Sequence, residues 1–415
     1  MVAVPHPHHG PARPPRPAGP PPTGPGPADP VGSTGPTGPA GAGPSGANLS
    51  ALRGHNAALV LGLLRDAGPE GLSRLEIAGR TGLTPQAVSK ITARLRAEGL
   101  AAEAGRRPST GGKPRTVLRL ARGARGAVGL HLDRDRLTAV RTDLTGEPFA
   151  VREAPLDLGA PAEDVLDTAT AAVGALLAAE GGPVLGVGVA APGPLDHRSG
   201  VLHRVTGAPH WDGYPLRRAL AERLGLPVVL DKDTNAAALG LALRDAAGPD
   251  GTGSFGYLHL GTGLGAGLVL GGEVYRGART DAGEFGHQVI QLGGPRCGCG
   301  NRGCLEALCL AAVAEGSPAR AARLLGVGAA NLVRLLDIDR VLLGGRTVLA
   351  GPDTFLRGVR EVLAEDAVRR GARAVPVEVA GPGDGRVVVA GAAQLVLAPL
   401  FARRIRQGDR PADTG

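Results

Sequence analysis

Between residues 48 and 100, apolar residues recur at the spacing of three short helices. The apolar positions of the first two helices are Leu59, Leu63, Leu64, Leu75, Ile77 and Ala78, and the second helix opens at Leu72-Ser73-Arg74. Gly82 then breaks the chain, and Thr84-Pro85 predicts a new helix with a threonine N-cap and a proline in its first turn. The third helix is predicted over Pro85–Glu98, with Val88, Ile91 and Leu95 spaced for burial.

The outward face of this third helix is polar, and it carries Gln86, Ser89, Lys90, Ala93, Arg94 and Arg96. A helix, a tight turn and a second helix with polar side chains near its start are typical of major-groove recognition. The predicted groove contacts are Gln86, Ser89 and Lys90, and Arg94 is a predicted phosphate contact. The alternative is a three-helix bundle without a DNA-binding role.

Two short apolar runs after the third helix, Leu100–Glu103 and Thr116–Leu120, can pair as the strands of a wing. Between and beside them lie four cations, which are Arg106, Arg107, Lys113 and Arg115. A basic hairpin of this kind contacts phosphates or enters a minor groove. We therefore predict a winged helix-turn-helix over residues 48–122.

From Gly123 onward, short apolar runs alternate with helical stretches, which predicts an α/β fold. The predicted strands are Ala127–Leu132, Leu137–Asp143, Val184–Ala190, Val228–Asp231, Gly256–Leu260, Gly265–Leu270, Arg340–Leu343 and Val377–Val379. The predicted helices include Pro215–Leu224 and Thr234–Ala247. Residues 1–47 are rich in Pro and Gly, and we expect this leader and the tail over residues 403–415 to be disordered.

The charge of the chain is concentrated in the predicted DNA-binding segment. The 415 residues carry a formal net charge of +8, and residues 48–122 hold thirteen Lys or Arg against five Asp or Glu. A net positive charge confined to one segment favours a nucleic-acid-binding surface, and a solvated basic surface is the alternative. No apolar run is long enough to span a membrane and no secretory h-region is present, so we expect a cytoplasmic protein.

All four cysteines fall within thirteen residues, and His287 precedes them in the spacing H-x9-C-x-C-x4-C. Three thiolates and one imidazole suit tetrahedral zinc, and the loop glycines let a short chain curl around a metal. We predict zinc bound by His287, Cys297, Cys299 and Cys304, with Cys309 packed in a helix. The alternatives are a redox-active C-x-C pair, an ordinary core histidine, and Cys309 as a substitute ligand.

The run from Asp281 to His287 (Asp-Ala-Gly-Glu-Phe-Gly-His), followed by Cys-Gly-Cys-Gly-Asn-Arg-Gly-Cys-Leu-Glu ending at Glu306, resembles the signature of the ROK family of repressors and sugar kinases. Three further stretches agree, at residues 186–194, 231–238 and 260–267. The resemblance implies a two-lobed actin/hexokinase-like (ribonuclease H-like) ATPase fold over residues 123–402. Its smaller lobe would span about 123–232 plus the C-terminal helix, and its larger lobe about 233–380.

The resemblance also implies roles for individual residues. Zinc would lie at the His and three Cys already named, and sugar hydroxyls would contact Asn235, Glu284, His287 and Glu306. Asp233 stands where the family's kinases keep their catalytic base, and we predict that it is a ligand contact here. Carboxylates accept paired hydrogen bonds from vicinal hydroxyls, and the metal would orient the loop that carries them. For Asp233 and Asn235, helix N-capping is the alternative.

Family kinases begin their first strand with D-x-G-G-T, whereas the matching stretch here is His131-Leu132-Asp133-Arg134-Asp135. The glycines that let a backbone approach phosphates are missing, and two acids add like charge. We therefore expect a regulator without kinase activity, in which a sugar or sugar phosphate changes the affinity of a homodimer or homotetramer for double-stranded operator DNA. The alternatives are an active sugar kinase with a DNA-binding domain, and a constitutive DNA-binding protein with a vestigial sensor. The segment between Glu306 and Leu325, which is short for the family, favours the second.

Overall fold

The computed structural model describes residues 49–107, 115–245, 253–381 and 385–401. The predicted disordered leader and tail lie outside these residues, as does Lys113 of the predicted wing. Within them, strands and helices alternate as predicted, so the expected α/β class is confirmed.

Residues 49–120 form three helices and a small antiparallel sheet. In chain order the elements are α1 (Leu49–Asp66), β1 (Leu72–Ser73), α2 (Arg74–Thr81), α3 (Pro85–Ala97), β2 (Ala101–Arg107) and β3 (Arg115–Leu120). The sheet order is β1-β3-β2, so β3 lies between the short β1 and the other wing strand. This element order, three helices followed by two paired strands, is that of a winged helix-turn-helix.

The starts of α2 and α3 are fixed by side chains that satisfy free backbone N–H groups. Ser73 and Glu76 form a reciprocal capping box, and the Thr84 hydroxyl accepts from the Ala87 N–H at 3.2 Å. Gly82 ends α2 in the left-handed conformation, with φ of 70°. The predicted turn and helix start are thus confirmed, although Leu75, predicted as an apolar position, is 54% exposed.

Residues 126–232 build the first of two five-stranded sheets. Its elements are β4 (Gly126–Leu132), β5 (Arg136–Asp143), β6 (Pro148–Pro155), α4 (Ala162–Leu177), β7 (Val184–Ala191), β8 (Leu195–Asp196), β9 (Val201–Leu202), α5 (Leu216–Leu224) and β10 (Val228–Lys232). The strand order is β10-β7-β4-β5-β6, and β8 pairs with β9 in a separate two-stranded sheet. Because β4, β7 and β10 are parallel, the C-terminal end of β10 delivers Lys232 and the start of the next helix to one edge.

The second five-stranded sheet lies between residues 255 and 379. The elements of this half are α6 (Asp233–Asp245), β11 (Phe255–Leu260), β12 (Leu264–Leu270), β13 (Glu273–Val274), α7 (Leu305–Ala314), α8 (Pro318–Leu336), β14 (Arg340–Gly344), α9 (Arg346–Leu349), α10 (Pro352–Arg370) and β15 (Val377–Val379). The strand order is β13-β12-β11-β14-β15. Helices α7, α8 and α10 pack on this sheet and bury its apolar face.

The last helix, α11 (Val387–Leu397), connects the two sheets and the winged helix. It is almost entirely apolar and packs on α6, β4 and β7. A Cβ added at Gly391 would lie 1.9 Å from the Ala236 carbonyl oxygen, so glycine is required for this close approach to α6. Beyond Gly391, Ala393, Leu397 and Phe401 join the apolar cluster that also contains the core of the winged helix.

The interface between α8 and α10 is organised around one buried carboxylate. Asp366 is 1% exposed, and it accepts hydrogen bonds from Arg334 and, at 2.9 Å, from Arg370 Nε. The hydrogen bond from Arg334 holds the pKa of Asp366 below its usual range. The charged form is therefore favoured by the fold, and its stabilisation is present above the ordinary Asp pKa of about 4.

We expect Asp366→Asn to lower the melting temperature by a few degrees at neutral pH. As the pH falls below about 4, the wild-type carboxylate takes up a proton and loses the same interaction, so the two proteins should converge. Differential scanning calorimetry between pH 3 and pH 7 measures this effect. A constant difference across that range would contradict it.

Candidate functional site

His287 and three cysteines converge on one point of the glycine-rich loop after β13. Their ligand atoms all lie within 4.8 Å of one another, with 3.7 Å from His287 Nδ1 to Cys297 Sγ and 3.7 Å from Cys299 Sγ to Cys304 Sγ. A tetrahedral zinc ion with Zn–S bonds of about 2.3 Å holds its sulfur ligands about 3.8 Å apart. The donor set and its spacing therefore fit a metal ion such as zinc.

Backbone hydrogen bonds hold the loop in this shape. The Cys297 N–H donates to the Asn301 carbonyl and the Gly303 N–H donates to the Pro295 carbonyl, both at 2.8 Å. Cys309 lies outside the cluster, because it is buried in α7 and its thiol faces the Ala321 carbonyl at 3.7 Å. The structure thus gives Cys309 the packing position that the sequence suggested.

A cleft of about 630 Å³ opens beside the loop that carries His287 and the clustered cysteines. Four of the five predicted ligand contacts line it, and they come from three separate elements: Asp233 from the start of α6, Glu284 and His287 from the loop, and Glu306 from the first turn of α7. This convergence of carboxylates and an imidazole supplies hydrogen-bond acceptors suited to the hydroxyls of a polyol.

The loop that carries His287 and the three clustered cysteines also orients two of the cleft side chains. Because His287 turns Nδ1 toward the cysteines, Nε2 is left on the side of Glu284, 3.9 Å from Glu284 Oε2. Glu306 follows Cys304 by two residues, and its Oε2 accepts from the Leu264 N–H at 2.8 Å. Loop, helix α7 and strand β12 are thereby joined at the cleft.

Asn235 is the one predicted ligand contact that the structure does not bring to the cleft wall. It is completely buried in α6, where its Nδ2 donates to Asp231 Oδ1 at 2.9 Å. Its Oδ1 has no partner among the described residues. Asp231 in turn accepts from Arg276 Nε at 2.6 Å, and Arg276 belongs to the segment that leads to Glu284. Asn235 therefore supports the carboxylate that holds this segment in place.

Lys232 is a cleft residue that the sequence analysis missed. Its side chain is only 4% exposed, and Nζ donates to Glu284 Oε1 at 2.7 Å and to the Ala282 carbonyl at 3.0 Å. Glu284 therefore offers a ligand mainly its second oxygen. The sequence feature that could have indicated Lys232 is a lysine between Asp231 and Asp233, in a chain whose cations are nearly all arginine.

Comparison with known proteins agrees with the geometry. The family model described as "ROK family" matches residues 128–315. The "Putative xylose repressor" of Caldicellulosiruptor sp. (strain Rt8B.4) is 30% identical over 402 residues, which cover 86% of this chain and 98% of that protein. The chain belongs to the ROK family. The predicted family resemblance is thus confirmed.

Two solved ROK structures show which parts the chain shares with its family. The crystal structure of a ROK family transcriptional regulator, a homolog of the E. coli MLC protein, is 22% identical, covers 84% of this chain and 98% of its own, and has a TM-score of 0.69. It shows the fold, including the predicted two-lobed architecture. A Streptomyces griseus glucokinase in complex with glucose and AMPPNP is 27% identical over 65% of this chain and 98% of its own, with a TM-score of 0.55.

In this ROK protein, residues 131–135, which the sequence analysis matched to the first phosphate motif of the family's kinases, contain bulky side chains. His131 is buried in β4, where burial lowers its pKa and its Nε2 has no partner among the described residues. Asp133 and Arg134 form the following turn and line the cleft. A backbone cradle for nucleotide phosphates needs glycines in such a turn, and none is present between residues 131 and 135.

The predicted DNA-contacting residues of this ROK protein lie on α3 and the wing. Gln86, Ser89, Lys90 and Arg94 are all exposed on α3, and Arg94 forms an ion pair with Glu98 at 3.5 Å. Arg115 is exposed at the start of β3, the side chains of Arg106 and Arg107 lie outside the described part, and so does Lys113. Among the described helices, none is both long and apolar enough to cross a membrane.

Proposed function

We propose that this ROK protein is a sequence-specific DNA-binding repressor whose operator affinity is controlled by a sugar or sugar phosphate bound in the cleft. The observation that carries this proposal is the pairing of an exposed recognition helix with a cleft of sugar-binding character in one chain. The likeness to the "Putative xylose repressor" along 98% of that protein supports it.

The proposed DNA interface is the outward face of α3 together with the wing. The buried side of α3 holds Val88 and Leu95 in the core, which leaves Gln86, Ser89 and Lys90 free to enter a major groove. Arg94, Arg106, Arg107, Lys113 and Arg115 would contact phosphates or a minor groove. Paired operator half-sites match a two-fold protein, so we propose a homodimer or a homotetramer acting in the cytoplasm.

The proposed effector site uses Asp233, Glu284, His287 and Glu306 as hydrogen-bond partners of sugar hydroxyls. Zinc would be held by His287 and the three cysteines, where it supplies rigidity to the loop and need not touch the ligand. The chain would not act as a kinase, because residues 131–135 lack the glycines of a phosphate cradle.

Helices α6 and α11 provide a contiguous connection from this site to the DNA-binding helices. Asp233 begins α6 in the cleft, α6 contacts α11 at Gly391, and Phe401 beyond α11 lies under the Arg65 guanidinium of α1 at 4.5 Å. A ligand that shifts α6 would therefore move the winged helix. A coupling of about 1–3 kcal/mol suffices to change operator occupancy.

The test is fluorescence anisotropy of the zinc-loaded protein on a duplex selected from a random DNA library. We expect glucose, xylose or glucose 6-phosphate to weaken duplex binding by about fivefold to 150-fold. Asp233→Asn should bind the duplex normally but need about tenfold more ligand, because a hydrogen bond to a charged group is lost.

Asp164→Asn is the matched control. Asp164 is an exposed carboxylate in the first turn of α4, and it is not among the described residues that line the cleft. It should respond like the wild type. Duplex binding that no sugar changes would favour a constitutive DNA-binding protein. Phosphorylation of a hexose at ordinary kinase rates, about 1–100 per second, would overturn the proposal that the cleft is only a sensor.

A further inference from the structure

The cleft contains two arginines that the proposed sugar contacts do not use. Arg134 and Arg204 both line it, and neither side chain forms a hydrogen bond or an ion pair with any residue in the described ranges. Lys232, the other cation of the wall, is already bound to Glu284. The free positive charge of the cleft is therefore carried by guanidinium groups.

Arg134 stands between two acids, yet both acids have other partners. Asp133 Oδ1 accepts from the Thr262 hydroxyl at 3.0 Å and from the Arg134 backbone N–H at 2.7 Å. Asp135 pairs with Arg346, whose Nη1 lies 2.7 Å from Asp135 Oδ2. The like charge that the sequence analysis expected beside a phosphate is thus partly neutralised from another part of the chain.

The Arg134 guanidinium also lies close to a predicted sugar contact. A Cβ added at Gly263 would be 3.0 Å from Glu306 Oε2 and 3.5 Å from Arg134 Nη2. The Glu306 carboxylate and the Arg134 guanidinium therefore both approach the point of the cleft at Gly263, a residue without a side chain. A ligand whose hydroxyl meets Glu306 would have an adjoining substituent within reach of Arg134.

We propose that the effector is a phosphorylated sugar whose phosphate is bound by Arg134 while its hydroxyls occupy the carboxylates of the cleft. The planar guanidinium matches the oxygens of a phosphate with two parallel hydrogen bonds. The proposal rests on the proposed sugar-sensor function and names the ligand class of that site. A phosphate could also come from a nucleotide, but the turn at Asp133-Arg134 carries side chains where a triphosphate needs backbone amides.

Isothermal titration calorimetry of the full-length, zinc-loaded protein tests this assignment, with glucose, glucose 6-phosphate, inorganic phosphate and ADP as separate probes. We expect glucose 6-phosphate to bind on the order of tenfold to a hundredfold more tightly than glucose, the range of a charge-assisted hydrogen bond. Inorganic phosphate should bind weakly and compete with glucose 6-phosphate, and ADP should not bind.

Arg134→Gln should remove most of the preference for glucose 6-phosphate and the binding of inorganic phosphate, while glucose affinity changes by no more than about twofold. Arg134→Lys should keep part of the preference, because it retains the charge but not the planar fork. Arg152→Gln, an exposed arginine on β6, is the matched control and should behave like the wild type.

Three results would overturn the proposal: equal binding of glucose and its 6-phosphate, an unchanged preference in Arg134→Gln, or tight binding of ADP. Fluorescence anisotropy on the selected duplex distinguishes a failure of the phosphate-binding role of Arg134 from a failure of the proposed sensor function. If glucose releases DNA as well as its phosphate does, the sensor function stands and the role of Arg134 fails. If glucose 6-phosphate binds through Arg134 without changing DNA binding, the role of Arg134 stands and the sensor function fails.

Discussion

Replacing Cys304 by serine is expected to release zinc and to destabilise the protein by on the order of 5 kcal/mol, because loss of a structural metal is among the most destabilising changes known. Cys304 is completely buried and lies at the boundary between the loop that carries the clustered cysteines and α7. The same change should abolish sugar binding, since Glu306 and His287 are positioned through this loop. Zinc content by mass spectrometry and thermal denaturation are the measurements.

Cys309 provides the matched control within the same helix. Its thiol is buried but faces the Ala321 carbonyl, so Cys309→Ala should keep one zinc per chain and lose only about 1 kcal/mol of stability to a small cavity. The zinc assignment is wrong if wild-type protein contains no stoichiometric metal. Zinc loss in Cys309→Ala with retention in Cys304→Ser would instead make Cys309 the ligand.

The double replacement of Gln86 and Lys90 by alanine is expected to weaken binding of the selected duplex by at least about thirtyfold. Each direct contact to a base edge contributes about 1–3 kcal/mol of discrimination, and both side chains are exposed on α3. Stability should change little, because the buried face of α3 is untouched. Anisotropy titrations and a melting curve measure the two effects.

Salt dependence distinguishes base contacts from phosphate contacts on the same surface. Arg94→Ala should reduce the slope of log K against log salt by about one, with a similar loss on every duplex sequence. Arg218→Ala, on α5 and 79% exposed in its side chain, is the control and should leave both affinity and slope unchanged. Unaltered DNA binding in the α3 double variant would remove α3 as the recognition helix.

Features that depend on near neighbours in the chain were predicted closely. The Thr84 cap, the helix break at Gly82 and the strand Val377–Val379 appear where the pattern placed them. The convergence of His287 with Cys297, Cys299 and Cys304 was also predictable, because these four residues and the glycines among them occupy a single short segment. Strand β6 and helix α4 were missed. Strand β6 is a partly exposed edge strand, so the alternation of apolar and polar residues along it is weak.

Only the tertiary structure decided which residues from these separate local features come into contact. The sequence by itself determined an α/β fold, a helix-turn-helix start and a metal-ligand spacing. It did not reveal that Lys232 would be bound to Glu284. Nor did it reveal that the two polar residues predicted as ligand contacts in the first turn of α6 would divide, with Asp233 facing the cleft and Asn235 sealed inside.

The physical reason is the range over which each interaction acts. Helix caps, turns and metal-ligand spacings are decided within a few residues, so a pattern along the chain reports them directly. The charge state of the cleft is decided by partners that arrive from distant segments, as when Arg346 neutralises Asp135 from 211 residues away. That long-range pair engages Asp135, and Asp133 is bound to Thr262, while the Arg134 side chain has no hydrogen-bond or ion-pair partner among the described residues.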